Sequence, residues 1–90
     1  MDELPNLSLE DIEFIKILAN SDVTILQKSM NSTTLRRLES QIGVILRGYY
    51  RENTMGENNG WTKKLESFGI TEDEGKAAIA CARRLGLNIF

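Results

Sequence analysis

Apolar residues return every three or four positions along most of this chain, and clusters of polar residues cut the repeat into helix-length segments. In the first segment Leu9, Ile12, Ile15 and Ala19 share one face. Phe14, Ile17 and Leu18 widen it, as expected of a helix central to a core. Ser8-Leu9-Glu10-Asp11 has the form of a capping box at its start, and Asn20-Ser21-Asp22 interrupts it. Val23, Leu26 and Met30 predict a short second helix capped by Ser21 or Asp22, although Val23 to Leu26 also suits an extended run. Asn31-Ser32-Thr33-Thr34 then offers several N-caps for a third.

That third helix, Thr33 to Glu52, has two opposed faces. On a wheel of about 100° per residue, Leu35, Leu38, Ile42, Ile45, Leu46 and Tyr49 fall in one arc of about 100°. Arg36, Arg37, Arg47 and Arg51 fall in the opposite arc, and no acid shares it. The apolar seam has coiled-coil spacing over only about two heptads. It therefore predicts packing within the chain, with a homodimer seam as the other possibility. Gly43 and Gly48 each cost such a helix about 1 kcal/mol relative to Ala, which points to close approach by a neighbour.

Glu52 to Gly60 is the longest polar, turn-rich stretch and is expected to be the most mobile internal segment. It lacks the acids of a calcium loop and the Gly-Lys-Ser/Thr of a phosphate loop. Trp61 to Phe68 predicts a short helix with Trp61, Leu65 and Phe68 on one face, closed by Gly69-Ile70 as a Schellman ending. Thr71-Glu72-Asp73-Glu74 is a second capping box, opening a helix with acids first and Arg83 and Arg84 last. Phe68-Gly69-Ile70 followed by Ala78-Ile79 resembles the loop of ubiquitin-associated domains, but the second helix is longer and the third is missing, so no family is assigned. Leu87 to Phe90 leaves an apolar tail, either docked on the domain or offered to a partner.

Ninety residues, 41% hydrophobic and 27% charged, predict one small globular domain spanning 1–90. The fold class is all-α, a bundle of four to five helices with one long central helix and a C-terminal helical hairpin. No apolar run reaches the ~20 residues of a membrane span, and no signal-peptide pattern opens the chain, so a cytoplasmic protein without a membrane partner is expected. The net charge of −2 is uneven: residues 28–51 carry +4, and residues 1–27 carry −5.

The chain has no His and one Cys. That removes the commonest proton carrier, any intrachain disulfide and the usual zinc ligand sets, so neither catalysis nor a cofactor or metal is expected. Cys81 lies among alanines, as a small core residue does. The helix after Gly69-Ile70 opens with Thr-Glu-Asp-Glu, which repels phosphate and argues against DNA reading by a helix-turn-helix.

The arginine stripe is the one candidate site. Guanidinium groups bind carboxylates and phosphates alike. The expected contact set is Arg36, Arg37, Arg47 and Arg51, extended by Tyr50, Trp61, Lys63 and Lys64. The primary expectation is a non-catalytic adaptor or regulator that binds a protein with an acidic surface. The alternative is a nucleic-acid accessory protein that grips phosphates without reading sequence. The plainer account is a solvated face that pairs with Glu10, Asp11 and Glu13 of the first helix, and burial of Trp61 in the core.

Overall fold

A computed structural model describes residues 7–89. Met1 to Asn6 and Phe90 lie outside them. Five helices follow one another: α1 (Leu9–Asn20), α2 (Val23–Ser29), α3 (Ser32–Met55), α4 (Trp61–Ser67) and α5 (Glu72–Arg84). Among the described residues there is no strand.

Local chemistry fixes most of the boundaries. Ser8 Oγ accepts the Asp11 amide at 3.1 Å, and Asp11 Oδ2 accepts the Ser8 amide at 3.3 Å, a reciprocal cap on α1. Asp22 and Asn31 cap α2 and α3 by accepting the amides of Thr24 and Thr34, each at 2.8 Å. Thr71 and Glu74 repeat the reciprocal cap on α5. The end of α4 is a Schellman turn. Gly69 adopts φ +85°, which a side chain would resist, and the Ile70 amide reaches back to Leu65 O at 3.0 Å. Ile70 and Leu65 are both buried there.

The buried side chains form one cluster. α1 lies along α5, where Ala78, Cys81 and Ala82 are buried. Their small side chains leave room for Ile12, Ile15 and Leu18 of α1. The seam of α3 closes the core: Leu38, Ile42, Ile45, Leu46 and Tyr49 are buried within the chain, and Leu35 is partly so. A second copy cannot use this face without opening the core. Burial of each large side chain in the cluster is worth about 1.5–3 kcal/mol, which is why the seam dictates how α3 lies.

One expectation needs correction here. α3 runs 24 residues, to Met55, so the first four residues of the expected loop are helical. Asn53 Nδ2 and Thr54 Oγ1 donate one turn back, to Tyr49 O and Tyr50 O at 2.9 and 2.6 Å, which keeps polar residues in register. Of what remains, Gly56 to Gly60, the last two residues are held by hydrogen bonds. Asn59 Nδ2 donates to Gly48 O at 2.8 Å, and Asn59 Oδ1 accepts the Trp61 amide at 3.1 Å. The Glu52 carboxylate accepts the amides of Gly60 and Thr62, each at 2.7 Å. Gly60 has no side chain with which to cap α4, so Glu52 supplies the cap from α3.

Burial pushes the Glu52 pKa up, but the donors from Thr62, Gly60 and Asn59 outweigh it and hold the pKa below the ordinary glutamate value. The sign follows. The ionised form is favoured on folding, so this stabilisation is complete above the ordinary glutamate pKa and is lost as pH falls through the lowered folded value. Glu52→Ala is expected to cost about 1 kcal/mol for this partly exposed cap and to speed proteolysis between Gly56 and Gly60. Acid titration of thermal stability should be shallower in Glu52→Gln. Unchanged proteolysis and an unchanged acid limb would show that the cap does not hold the loop.

Candidate partner-binding surface

The structure divides the arginine stripe. Arg47 Nη2 donates to Asn88 O at 3.2 Å, and Glu39 Oε2 accepts the Asn88 amide at 3.2 Å. The tail is thereby docked on α3 through Asn88, with Leu87 and Ile89 in the core. Arg47 is accordingly a structural clamp, half-buried under the tail. Arg51 Nε pairs with Glu57 Oε1 at 3.3 Å across the end of α3. Arg36 and Arg37 are exposed on the first turns of α3 and form no ion pair among the described residues.

The expected pairing of the stripe with α1 is not what forms. Asp11 is committed to its own cap. Glu10 and Arg37 line the same cavity, about 160 Å³ between α1 and α3, without pairing. Phe14, Met30 and Leu38 make its apolar wall. Gln41 Oε1 is enclosed there and accepts no hydrogen bond from the described residues. An amide oxygen left this way costs about 1–3 kcal/mol. Sequence patterning gave no signal for Gln41, which lies beside the seam and not on either face.

The aromatic and lysine candidates separate as well. Trp61 is 4% exposed and belongs to the core, which corrects its place among the surface contacts. It seats against Gly48, where there is no side chain to obstruct the indole. Tyr50 is half-buried, with the Arg83 guanidinium 5.7 Å from its ring centre. Lys63 lines a shallow cleft with Glu52, Glu57 and Glu66, so carboxylates outnumber it and the positive field does not extend there. Lys64 lies over the Phe68 ring at 6.0 Å. Val44, unnoticed in the sequence, is 51% exposed in the same arc of α3 as the arginines.

Burial raises the pKa of the Cys81 thiol, and nearby Arg84 lowers it only in part, so the thiolate is disfavoured at neutral pH. Burial, and then the charge of Glu72, likewise raise the Tyr49 phenol, which reaches Glu72 O at 3.4 Å. Among the described residues no group of three or more His, Cys, Asp or Glu side chains is placed to hold a metal ion. Among the same residues no helix is long and apolar enough to cross a membrane. No family model, curated protein or solved structure matches the chain.

Proposed function

We propose that the protein is a non-catalytic helical adaptor or regulator that binds an acidic protein surface through the N-terminal half of the outward face of α3. The observation that carries this reading is the contrast between the arginines. Arg47 and Arg51 have partners within the chain, whereas Arg36 and Arg37 are exposed without an ion pair among the described residues. Val44 adds apolar area to the face. Carboxylates meeting Arg36 and Arg37 bidentately would set orientation. The reading takes a cytosolic setting, in which the lone Cys81 remains reduced.

Phosphate binding is the second reading, and magnitudes disfavour it. Two arginines neutralise about two phosphates, so binding would weaken only about tenfold between 50 and 200 mM salt and would be weak throughout. No nucleic-acid binding is expected near ~150 mM salt.

Affinity capture of the tagged protein from its native lysate tests both. Arg36→Glu/Arg37→Glu is the right variant, because a change at Arg47 would also release the tail. The expected result is a protein partner retained after nuclease treatment and lost in the double variant, with an unchanged melting temperature. Capture that is the same in both proteins would overturn the assigned face. Loss of every partner after nuclease would favour the phosphate reading.

A further inference from the structure

Asn59 is followed by Gly60, and no other asparagine of the chain precedes a glycine. The pair sets a side-chain amide beside an unhindered backbone nitrogen, since Gly60 carries no Cβ. In an open chain that combination loses ammonia by itself. The Gly60 nitrogen gives its proton to hydroxide and bonds to Asn59 Cγ. The Cγ–Nδ2 bond breaks, and ammonia leaves with a proton from water. Water then opens the cyclic imide at either carbonyl and leaves an aspartate or isoaspartate at position 59. Nothing is oxidised or reduced, and no reagent beyond water and hydroxide is needed.

The fold holds both reacting groups. Gly60 N–H donates to Glu52 Oε2 at 2.7 Å. Removing that proton would set a nitrogen anion against a carboxylate, which Coulomb repulsion opposes. Asn59 Nδ2 donates to Gly48 O at 2.8 Å, and its Oδ1 accepts the Trp61 amide at 3.1 Å. Both ends of the side-chain amide are engaged, so Cγ cannot turn toward the Gly60 nitrogen until those bonds part. Asn59 and Gly60 are also half-buried, whereas the residues from Arg51 to Asn58, apart from Glu52, are exposed. Reaction therefore waits on local opening of the turn.

We propose that Asn59 is a site of spontaneous deamidation, latched by Glu52, and that its conversion irreversibly loosens α4 from α3. The product lacks the Nδ2 donor, so Gly48 O loses its contact with the turn. The new carboxylate faces that carbonyl oxygen and stands beside Glu52, whose donors include the Asn59 amide. Like charges at such range repel. Trp61 is the first residue of α4, so its seat against Gly48 is the contact that gives way. Molecules in which Glu52 lets go are converted, and converted molecules do not latch again. The site is independent of the Arg36 and Arg37 face.

Incubation of the full chain at mildly alkaline pH, followed by peptide mass mapping and an isoaspartate assay, reads the conversion. In urea, position 59 should convert before any other asparagine. In the folded wild type it should convert about tenfold more slowly, or slower still, because charge-assisted hydrogen bonds to Glu52 must open first. Glu52→Gln keeps the shape and loses the charge, so at an unchanged helix content it should convert about threefold or more faster than the folded wild type. Asn59→Asp stands in for the product. It should melt lower, be cut faster between Gly56 and Gly60, and shift Trp61 emission to longer wavelength. Equal rates in the folded and unfolded wild-type chain, earlier conversion of another asparagine in urea, or a Glu52→Gln rate equal to that of the folded wild type would each overturn the proposal. So would an Asn59→Asp variant with wild-type melting, proteolysis and emission.

Discussion

Ile42→Asp is expected to abolish cooperative folding. Ile42 lies at the centre of the α3 seam with 0% exposure, and the neighbouring seam residues Leu38, Ile45 and Leu46 are buried around it. The substitution forfeits about 1.5–3 kcal/mol of apolar burial. It also places a carboxylate where nothing can pair with it, which costs several kcal/mol more unless the group neutralises or the core opens. A domain of this size holds about 5–15 kcal/mol in total and sits toward the lower end. The two penalties together are comparable with that whole margin. Circular dichroism should show loss of most helix at room temperature, independent of protein concentration, because the seam is buried inside one chain. A cooperative melt at the wild-type temperature would overturn the seam assignment.

Features that depend on a few neighbouring residues were legible in advance. The reciprocal caps at Ser8/Asp11 and Thr71/Glu74 form as their spacing predicts, and so does the turn that brings Ile70 back on Leu65. The seam was legible for the same reason, since helical periodicity alone sorts Leu38, Ile42 and Ile45 to one side. Misreadings occurred where partners come from distant sequence. Glu52 looked like the start of a loop because its partners, Gly60 and Thr62, lie across a turn whose path no periodicity describes. The stripe looked uniform because nothing near Arg47 announces that Asn88 will reach it. The cavity between α1 and α3 was not legible at all. It arises from what lies opposite α3: α1 with Met30.

The glycines of α3 and α5 offer a matched set of substitutions with opposite expected signs. At Gly43 a methyl group would meet only Glu39 Cγ at 3.6 Å and Arg47 Nη2 at 3.9 Å, which is ordinary contact. Gly43→Ala should therefore gain the helix-propensity difference of about 1 kcal/mol, or about 5 °C in Tm. At Gly48 the same methyl would overlap Cδ1 and Nε1 of Trp61, whose indole is enclosed in the core. At Gly75 it would lie 2.6 Å from Cζ and 2.8 Å from Cε1 of the buried Tyr49 ring. Both overlaps lie below 3.0 Å against ring atoms of side chains that are nearly fully buried, so the ring or the backbone must shift. Overpacking then exceeds the propensity gain, and a net loss of about 2 kcal/mol or more, near 10 °C in Tm, is expected for each. Fluorescence separates the two sites, because Trp61 is the single tryptophan of the chain. Gly48→Ala should shift its emission to longer wavelength as the indole is displaced toward water, whereas Gly75→Ala should leave the emission in place and disturb Tyr49. If Gly48→Ala were as stable as Gly43→Ala with unshifted emission, Trp61 would not be seated on α3, and the corrected assignment of this residue to the core would fail.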